Sequence, residues 1–136
     1  MVVDEAWQLM RDPAAAGYLY RFAKSARKHW CALTTVTQDP GDVLQSPLGQ
    51  AIVQNAATQL LLGQAPQAME ALTRAFHLSH GEQAHLLAAQ PGDALLLAGP
   101  HRVALRSLPS PAEHHLVTTD PAELAALDED AGGAAP

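Results

Sequence analysis

The chain is poor in the residues that mark several common protein classes. Cys31 is the only cysteine among 136 residues, which excludes an intrachain disulfide. Aromatic residues make up only 4%, so Leu, Ala and Val must fill the core. Basic residues are scarce, and a formal net charge of −6 argues against binding nucleic acid over the whole surface. No apolar run approaches the roughly 18 residues that span a bilayer, and no signal peptide pattern opens the chain. We therefore expect a cytoplasmic chain without a transmembrane segment.

One absence bears directly on catalysis. The sequence contains no G-x-x-x-x-G-K-[ST] motif, and therefore no loop of that kind to hold the β- and γ-phosphates of a nucleotide. The length fits one domain, yet the chain starts at the end of a predicted strand. Both features predict that it is the C-terminal part of a longer protein.

Two adjacent carboxylates, Asp4 and Glu5, follow the apolar residues at the start of the chain. Ligands of parallel α/β sheets bind outside the carboxyl ends of the strands, where these two side chains would lie. One carboxylate there can hold Mg²⁺, and the other can orient or deprotonate a water that attacks a phosphate. This is the Walker B arrangement of nucleotide hydrolases. The alternative is that Asp4 only caps the helix that opens at Ala6.

A second polar pair is predicted at the same sheet edge. Residues from Trp30 to Val36 predict a buried strand, with Cys31 in the core, and the strand ends in Thr37-Gln38. The amide of Gln38 can donate to a phosphate oxygen and accept from a water.

Four of the eight basic residues lie within eight positions, on a helix expected from about 14 to 26 and just after it. They are Arg21, Lys24, Arg27 and Lys28. Such a cluster can be functional. The alternative is a solvated helix face on which Arg27 and Lys28 only complement the dipole at the C-terminal end of the helix.

Periodicity and turn residues predict the remaining elements. These are a short helix at 7–10, helices at 46–54, 66–76 and 81–89, a strand at 58–62, a hairpin at 93–98 and 101–108, and a helix ending near 127. Strands that alternate with helices predict an α/β fold, with a parallel sheet flanked by helices and a C-terminal β-hairpin. We expect Arg102 and Arg106 on a solvated face of that hairpin, and residues 128–136 to be too polar and glycine-rich to order.

The seven histidines do not form a compact metal-binding motif such as H-E-x-x-H. His77 and His80 could share one face, whereas the adjacent His114 and His115 would point apart on a strand. We therefore expect no structural zinc site.

Several short motifs occur in a characteristic order. They are Val-Val-Asp-Glu-Ala-Trp at 2–7, Arg27-Lys28, Thr37-Gln38, Asn55, Phe-His-Leu-Ser at 76–79 with Glu82, Ser-Pro-Ala-Glu at 110–113 and Thr-Thr-Asp-Pro at 118–121. Over roughly residues 1–121 the chain resembles the C-terminal half of the TraC-like and VirB-type motor ATPases of conjugation and type IV secretion. These belong to the HerA–FtsK superfamily of RecA-like P-loop NTPases.

The resemblance implies specific roles for four residues. Asp4 would be the metal-site acid of Walker B, Glu5 the residue that activates water, and Gln38 the polar sensor beside the nucleotide. Arg27 would reach the nucleotide of a neighbouring subunit. Residues 1–120 would then be the C-terminal portion of a RecA-like ATPase domain that uses ATP and Mg²⁺, with a short helix and tail at 121–136.

The resemblance also implies partners. The complete protein would self-associate into a ring, expected to be a hexamer, and would work with type IV secretion or conjugation components at the inner face of the membrane. Nucleic acid is a further candidate partner. Two alternatives remain: a non-catalytic module that docks on a complete secretion ATPase, and an unrelated small α/β domain.

Overall fold

The computed structural model describes residues 1–125, and these form elements in two compact units that divide after Arg106. The first unit contains β1 (Val2–Val3), α1 (Ala6–Met10), α2 (Pro13–Ser25), a 3-10 turn (Ala26–His29), β2 (Thr34–Thr35), α3 (Pro40–Gln45), α4 (Pro47–Asn55), β3 (Thr58–Leu62), α5 (Pro66–Phe76), α6 (His80–Ala88), β4 (Asp93–Ala98) and β5 (His101–Arg106). The second unit contains α7 (Pro111–Val117).

Two small sheets organise the first unit. Strands β1 and β2 pair in parallel, with Val2 opposite Thr34 and Val3 opposite Thr35. Strands β3, β4 and β5 form an antiparallel sheet in that order, with Leu61 opposite Leu95. The predicted α/β class, with a parallel sheet and a C-terminal hairpin, is confirmed; β3 joins the hairpin as its antiparallel neighbour.

Proline and a preceding cap fix where most helices begin. Proline is the first residue of α2, α3, α4, α5 and α7, where its missing N–H costs nothing because the first turn leaves that group unpaired. Asp12, Asp39 and Ser46 accept hydrogen bonds from the first-turn N–H groups of α2, α3 and α4. Ser79 and Glu82 form a capping box at α6, in which each side chain accepts from the other residue's backbone N–H.

The main hydrophobic core lies between the antiparallel sheet and the helices α5 and α6. It is formed by Leu61, Met69, Leu72, Leu78, Leu86, Leu95 and Leu97. Leu72 and Leu86 are each only 1% exposed. Aliphatic residues therefore fill this core, as the low aromatic content predicts.

The predicted buried strand from Trp30 to Val36 is wrong over most of its length. Only Thr34–Thr35 is a strand, and Trp30 has a left-handed backbone with φ of 54° and is 99% exposed. Cys31 is exposed and not part of the core. An apolar run predicts burial only when another element covers it, and no described residue covers Trp30.

As expected, Arg102 and Arg106 lie on an exposed face of the hairpin, and each forms an ion pair there. Arg102 pairs with Glu82 at 2.5 Å and donates to the carbonyl oxygen of Phe76 at 3.2 Å. Arg106 pairs with Asp93 at 2.7 Å. Arg102 thereby ties the hairpin to the end of α5 and the start of α6, whereas the pair of Arg106 lies within the hairpin.

Asp39 caps α3, and Pro40 and Gly41 are its first two residues. This helix packs closely on α4, because a Cβ on Gly49 would overlap the carbonyl oxygen of Val43. The contact holds the C-terminal part of α3 against the first turn of α4.

In the second unit, Ser110 and Glu113 form a capping box at α7, and the backbone N–H of Ser110 lowers the pKa of Glu113. Residues 121–125 are helical, as predicted for this stretch. The rest of that helix and the tail at 128–136 lie outside the described residues, and the domain boundary at 120 stays a prediction. Within residues 1–125, no helix is long and apolar enough to cross a membrane.

We predict that Gly49→Ala destabilises the chain by about 1–3 kcal/mol, because the added methyl group forces α3 and α4 apart. Gly81→Ala is the matched control, since a Cβ there meets nothing within 4 Å. That change should be neutral or stabilising by up to about 1 kcal/mol. Urea unfolding measures both, and equal free energies of unfolding for the two variants would refute the close approach at Gly49.

We also predict that Arg102→Met lowers the free energy of unfolding by about 1–2 kcal/mol, because Glu82 and the carbonyl of Phe76 lose a charged donor. Arg74→Met is the control: its pair with Glu70 is highly exposed, with side chains 78% and 86% accessible, and should contribute less than about 0.5 kcal/mol.

The Arg102 effect should depend on pH. Hydrogen bonds from Arg102 and from the backbone of Ser79 lower the pKa of Glu82 from its ordinary value of 4.5 to about 2. A lowered pKa stabilises the fold fully above 4.5, and that contribution is lost as the pH falls toward 2. The difference between Arg102→Met and the unmodified chain should therefore shrink over that range, and a constant difference would contradict the assignment.

Candidate functional site

The backbone brings the ends of β1 and β2 together. The N–H of Val36 donates to the carbonyl oxygen of Val3 at 2.8 Å, and the N–H of Ala6 donates to that of Val36 at 2.9 Å. These bonds continue the parallel pairing beyond the two strands. As a result, Asp4 and Glu5 leave the sheet beside Thr37 and Gln38.

The side chain of Glu5 is held from two sides. Gln38 Nε2 donates to Glu5 Oε1 at 2.7 Å, and the indole Nε1–H of Trp7 donates to Glu5 Oε2. The predicted proximity of Glu5 and Gln38 is therefore confirmed. Thr37 closes the local turn, because its hydroxyl oxygen accepts from the N–H of Asp39 at 3.2 Å.

Asp4 does not cap the following helix. The N-cap of α1 is Glu5, whose side chain makes no capping hydrogen bond. Asp4 Oδ1 instead accepts from the backbone N–H of Glu5 at 2.8 Å, and the residue is exposed. The helix-cap interpretation of Asp4 is therefore wrong, and its carboxylate faces the solvent at the carboxyl end of β1.

A cleft of about 410 Å³ opens beside Glu5. It is lined by Glu5, Trp7, Gln8, Arg11, Gln38, Asp39 and Asp42. The roles of Arg11 and Asp42 are not predicted by any sequence motif. Arg11 lies over the ring of Trp7 at 4.5 Å and pairs with Asp42 at 3.3 Å. No local pattern signals a pair of residues that lie 31 positions apart in the sequence.

The carboxylates suit one kind of metal site. No group of three or more His, Cys, Asp or Glu residues that could hold a metal occurs within residues 1–125. Mg²⁺ is bound by one or two carboxylates together with water and substrate phosphates, rather than by a cage of protein ligands. The exposed Asp4 fits that mode of binding.

Arg27 lies apart from these residues. It is exposed in the 3-10 turn before β2, and Arg21, Lys24 and Lys28 are exposed as well. The N–H of Cys31 donates to the carbonyl oxygen of Ala26 at 3.0 Å, and the amino group of Met1 donates to that of Ala32 at 2.8 Å. The segment that carries Arg27 is thus tied to the amino end of β1, whereas Asp4 and Glu5 follow its carboxyl end.

Comparisons with known proteins agree on one family. The family described as the TraG P-loop domain matches residues 1–94. The solved structure of VirB4 of Thermoanaerobacter pseudethanolicus matches with a TM-score of 0.74 and 34% sequence identity, over 82% of this chain. The match covers 31% of that VirB4 chain, so this chain spans about a third of its length.

No curated protein matches the chain. The family match nevertheless extends over more than half of the residues. The mixed α/β fold, with its parallel and antiparallel sheets, matches that of VirB4. The chain therefore belongs to the TraG P-loop domain family and is a relative of the VirB4/TraG-type ATPases of type IV secretion.

Proposed function

We propose that this chain is the Walker B half of an ATP-hydrolysing motor that energises type IV secretion or conjugative transfer. The observation that carries the proposal is the meeting of Asp4, Glu5 and Gln38 at the carboxyl ends of two parallel strands. Family membership supports the same function.

Each of the three residues has a role in this proposal. Asp4 holds Mg²⁺ directly or through its water shell, and Mg²⁺ neutralises charge on the phosphates when it is bound. Glu5 accepts a proton from the attacking water. Gln38 holds Glu5 and can contact the terminal phosphate or the water, because an amide donates and accepts at once.

The phosphate-binding part of the site must come from elsewhere, because this sequence contains no G-x-x-x-x-G-K-[ST] motif. It can belong to the same protein or to another chain. We call an ATPase that contains both this chain and such a loop the complete ATPase. If the loop lies on another chain, this chain is a module that docks on a secretion ATPase.

Arg27 is proposed to act on a neighbouring subunit. Its segment is tied to the amino end of β1, so it is poorly placed to reach the carboxylates of its own chain. A head-to-tail ring, which we propose to be a hexamer, would bring this segment to the next subunit's carboxylates at every joint. The surrounding basic residues could serve the same contact or bind nucleic acid.

The proposed site of action is the cytoplasmic side of the inner membrane, which the complete ATPase reaches through other secretion components. The proposal rests on family membership.

We predict that Glu5→Gln in the complete ATPase leaves nucleotide binding nearly intact and largely abolishes hydrolysis, because an amide keeps the shape but cannot accept the proton. Asp4→Asn should instead weaken Mg²⁺-dependent binding, since it removes a charge from the metal site. Nucleotide titrations and steady-state hydrolysis separate the two effects.

The 136-residue chain without the loop is the baseline for this experiment, and its hydrolysis should not exceed background. Wild-type turnover in both variants of the complete ATPase would show that the carboxylates are not catalytic. If the chain alone hydrolyses ATP and Glu5→Gln abolishes that hydrolysis, the phosphates of ATP are held without that loop.

We predict that Arg27→Ala slows hydrolysis by about 10³- to 10⁵-fold in the assembled ATPase, with little loss of ATP affinity, as for other arginines supplied by a neighbour. Mixing Arg27→Ala subunits with Glu5→Gln subunits should restore part of the activity, because some joints then pair an intact Glu5 with an intact Arg27.

Arg74→Ala is the matched control for this prediction, because Arg74 is an exposed arginine whose ion pair is a local one on α5. It should keep wild-type activity. Normal hydrolysis by Arg27→Ala, with no change on mixing, would reduce the basic cluster to a solvated helix face.

A further inference from the structure

We propose that Trp7 is a positioning residue that orients the carboxylate of Glu5 for catalysis, an inference that rests on the proposed function. The indole Nε1–H donates to Glu5 Oε2 while Gln38 donates to Oε1. Each oxygen of the proposed base is therefore fixed by a different side chain, one from α1 and one from the end of β2.

Two donors orient Glu5 without blocking it. A carboxylate offers about four acceptor positions on its two oxygens, and Trp7 and Gln38 occupy only one on each oxygen. The remaining positions can accept from a water. An indole N–H can only donate, so Trp7 holds Oε2 of Glu5 as an acceptor.

The backbone at Glu5 makes external support useful. Glu5 adopts φ of 51° and ψ of 43°, the left-handed region that residues other than glycine rarely occupy. Such a conformation persists only when the surrounding structure holds it. The turn at Glu5 directs its side chain back toward the first turn of α1, where Trp7 meets it.

The ring of Trp7 is itself held in place. The guanidinium of Arg11 lies 4.5 Å from the ring centroid, and Asp42 pairs with Arg11 at 3.3 Å. The Arg11 side chain is 70% exposed, so this support is weaker than the direct hydrogen bond. The structure therefore predicts an order of effects, with Trp7 ahead of Arg11.

Core packing does not explain Trp7. The residue is half-buried, it is not among the buried hydrophobic residues, and its ring lines the cleft beside Glu5. Trp7→Phe keeps most of the apolar ring and removes only the N–H donor, so it separates positioning from packing.

The first test uses the 136-residue chain and needs no hydrolysis. The chain has two tryptophans, and Trp30 is 99% exposed, so NMR should resolve two indole N–H signals of unlike environment. We expect the Trp7 N–H to exchange with water more slowly than that of Trp30, and Glu5→Ala to abolish the difference. Equal exchange in the folded, unmodified chain would overturn the inference.

The second test measures hydrolysis by the complete ATPase. We expect Trp7→Phe to lower kcat by about 10- to 100-fold, the loss found when a side chain that orients a metal ligand by a hydrogen bond is removed. The KM for ATP should not change, because the hydrogen bond acts on the base and not on the nucleotide. Arg11→Gln should lower kcat by about two- to fivefold, as expected for loss of an exposed cation–π contact.

Arg74→Ala is again the control, since Arg74 is exposed on α5, outside the cleft, and its loss should leave kcat and KM unchanged. A normal kcat in Trp7→Phe, or an effect on KM alone, would overturn the positioning role of Trp7. The proposed function would still stand if Glu5→Gln were inactive. Full activity of Glu5→Gln would overturn the proposed function itself.

Discussion

The site depends on the backbone hydrogen bonds that join residues 1–6 to residues 34–36. The strands themselves pair only Val2 with Thr34 and Val3 with Thr35. The bonds from Val36 to Val3 and from Ala6 to Val36 carry this pairing to the carboxyl ends of both strands. Because those bonds fix the start of α1 against the end of β2, Glu5 and Gln38 face each other although they are 33 positions apart.

Helix packing supplies the second constraint on the cleft. Gly49 lets α4 approach the backbone of α3, and the cap of Asp39 sets where α3 begins. Asp42 on α3 then holds Arg11, which lies over Trp7, which in turn donates to Glu5. The position of the carboxylate thus depends on helices that do not themselves carry the proposed catalytic groups.

In the proposed ring, several copies would cooperate through two unlike surfaces of each chain. The acidic cleft follows the carboxyl ends of the parallel strands, while the exposed basic segment around Arg27 is tied to the amino end of β1. A chain with two unlike surfaces at opposite ends of a sheet suits a head-to-tail assembly, in which each joint has the same pair of surfaces. The formal charge of −6 makes the basic segment the exception on an acidic protein.

The sequence by itself determined most of the helices, the hairpin and the acidic sheet edge, because caps such as Ser46 and Ser79, the helix-opening prolines and the Asp4-Glu5 pair are local signals; it did not predict α3 or α7. The buried strand predicted from Trp30 onward is wrong, because an apolar run looks the same in the sequence whether or not another element covers it. Only the tertiary structure decided which side chains meet. Three contacts depend on how the chain folds and are not indicated by any spacing in the sequence. They are those of Arg102 with Glu82, Arg11 with Asp42, and Trp7 with Glu5.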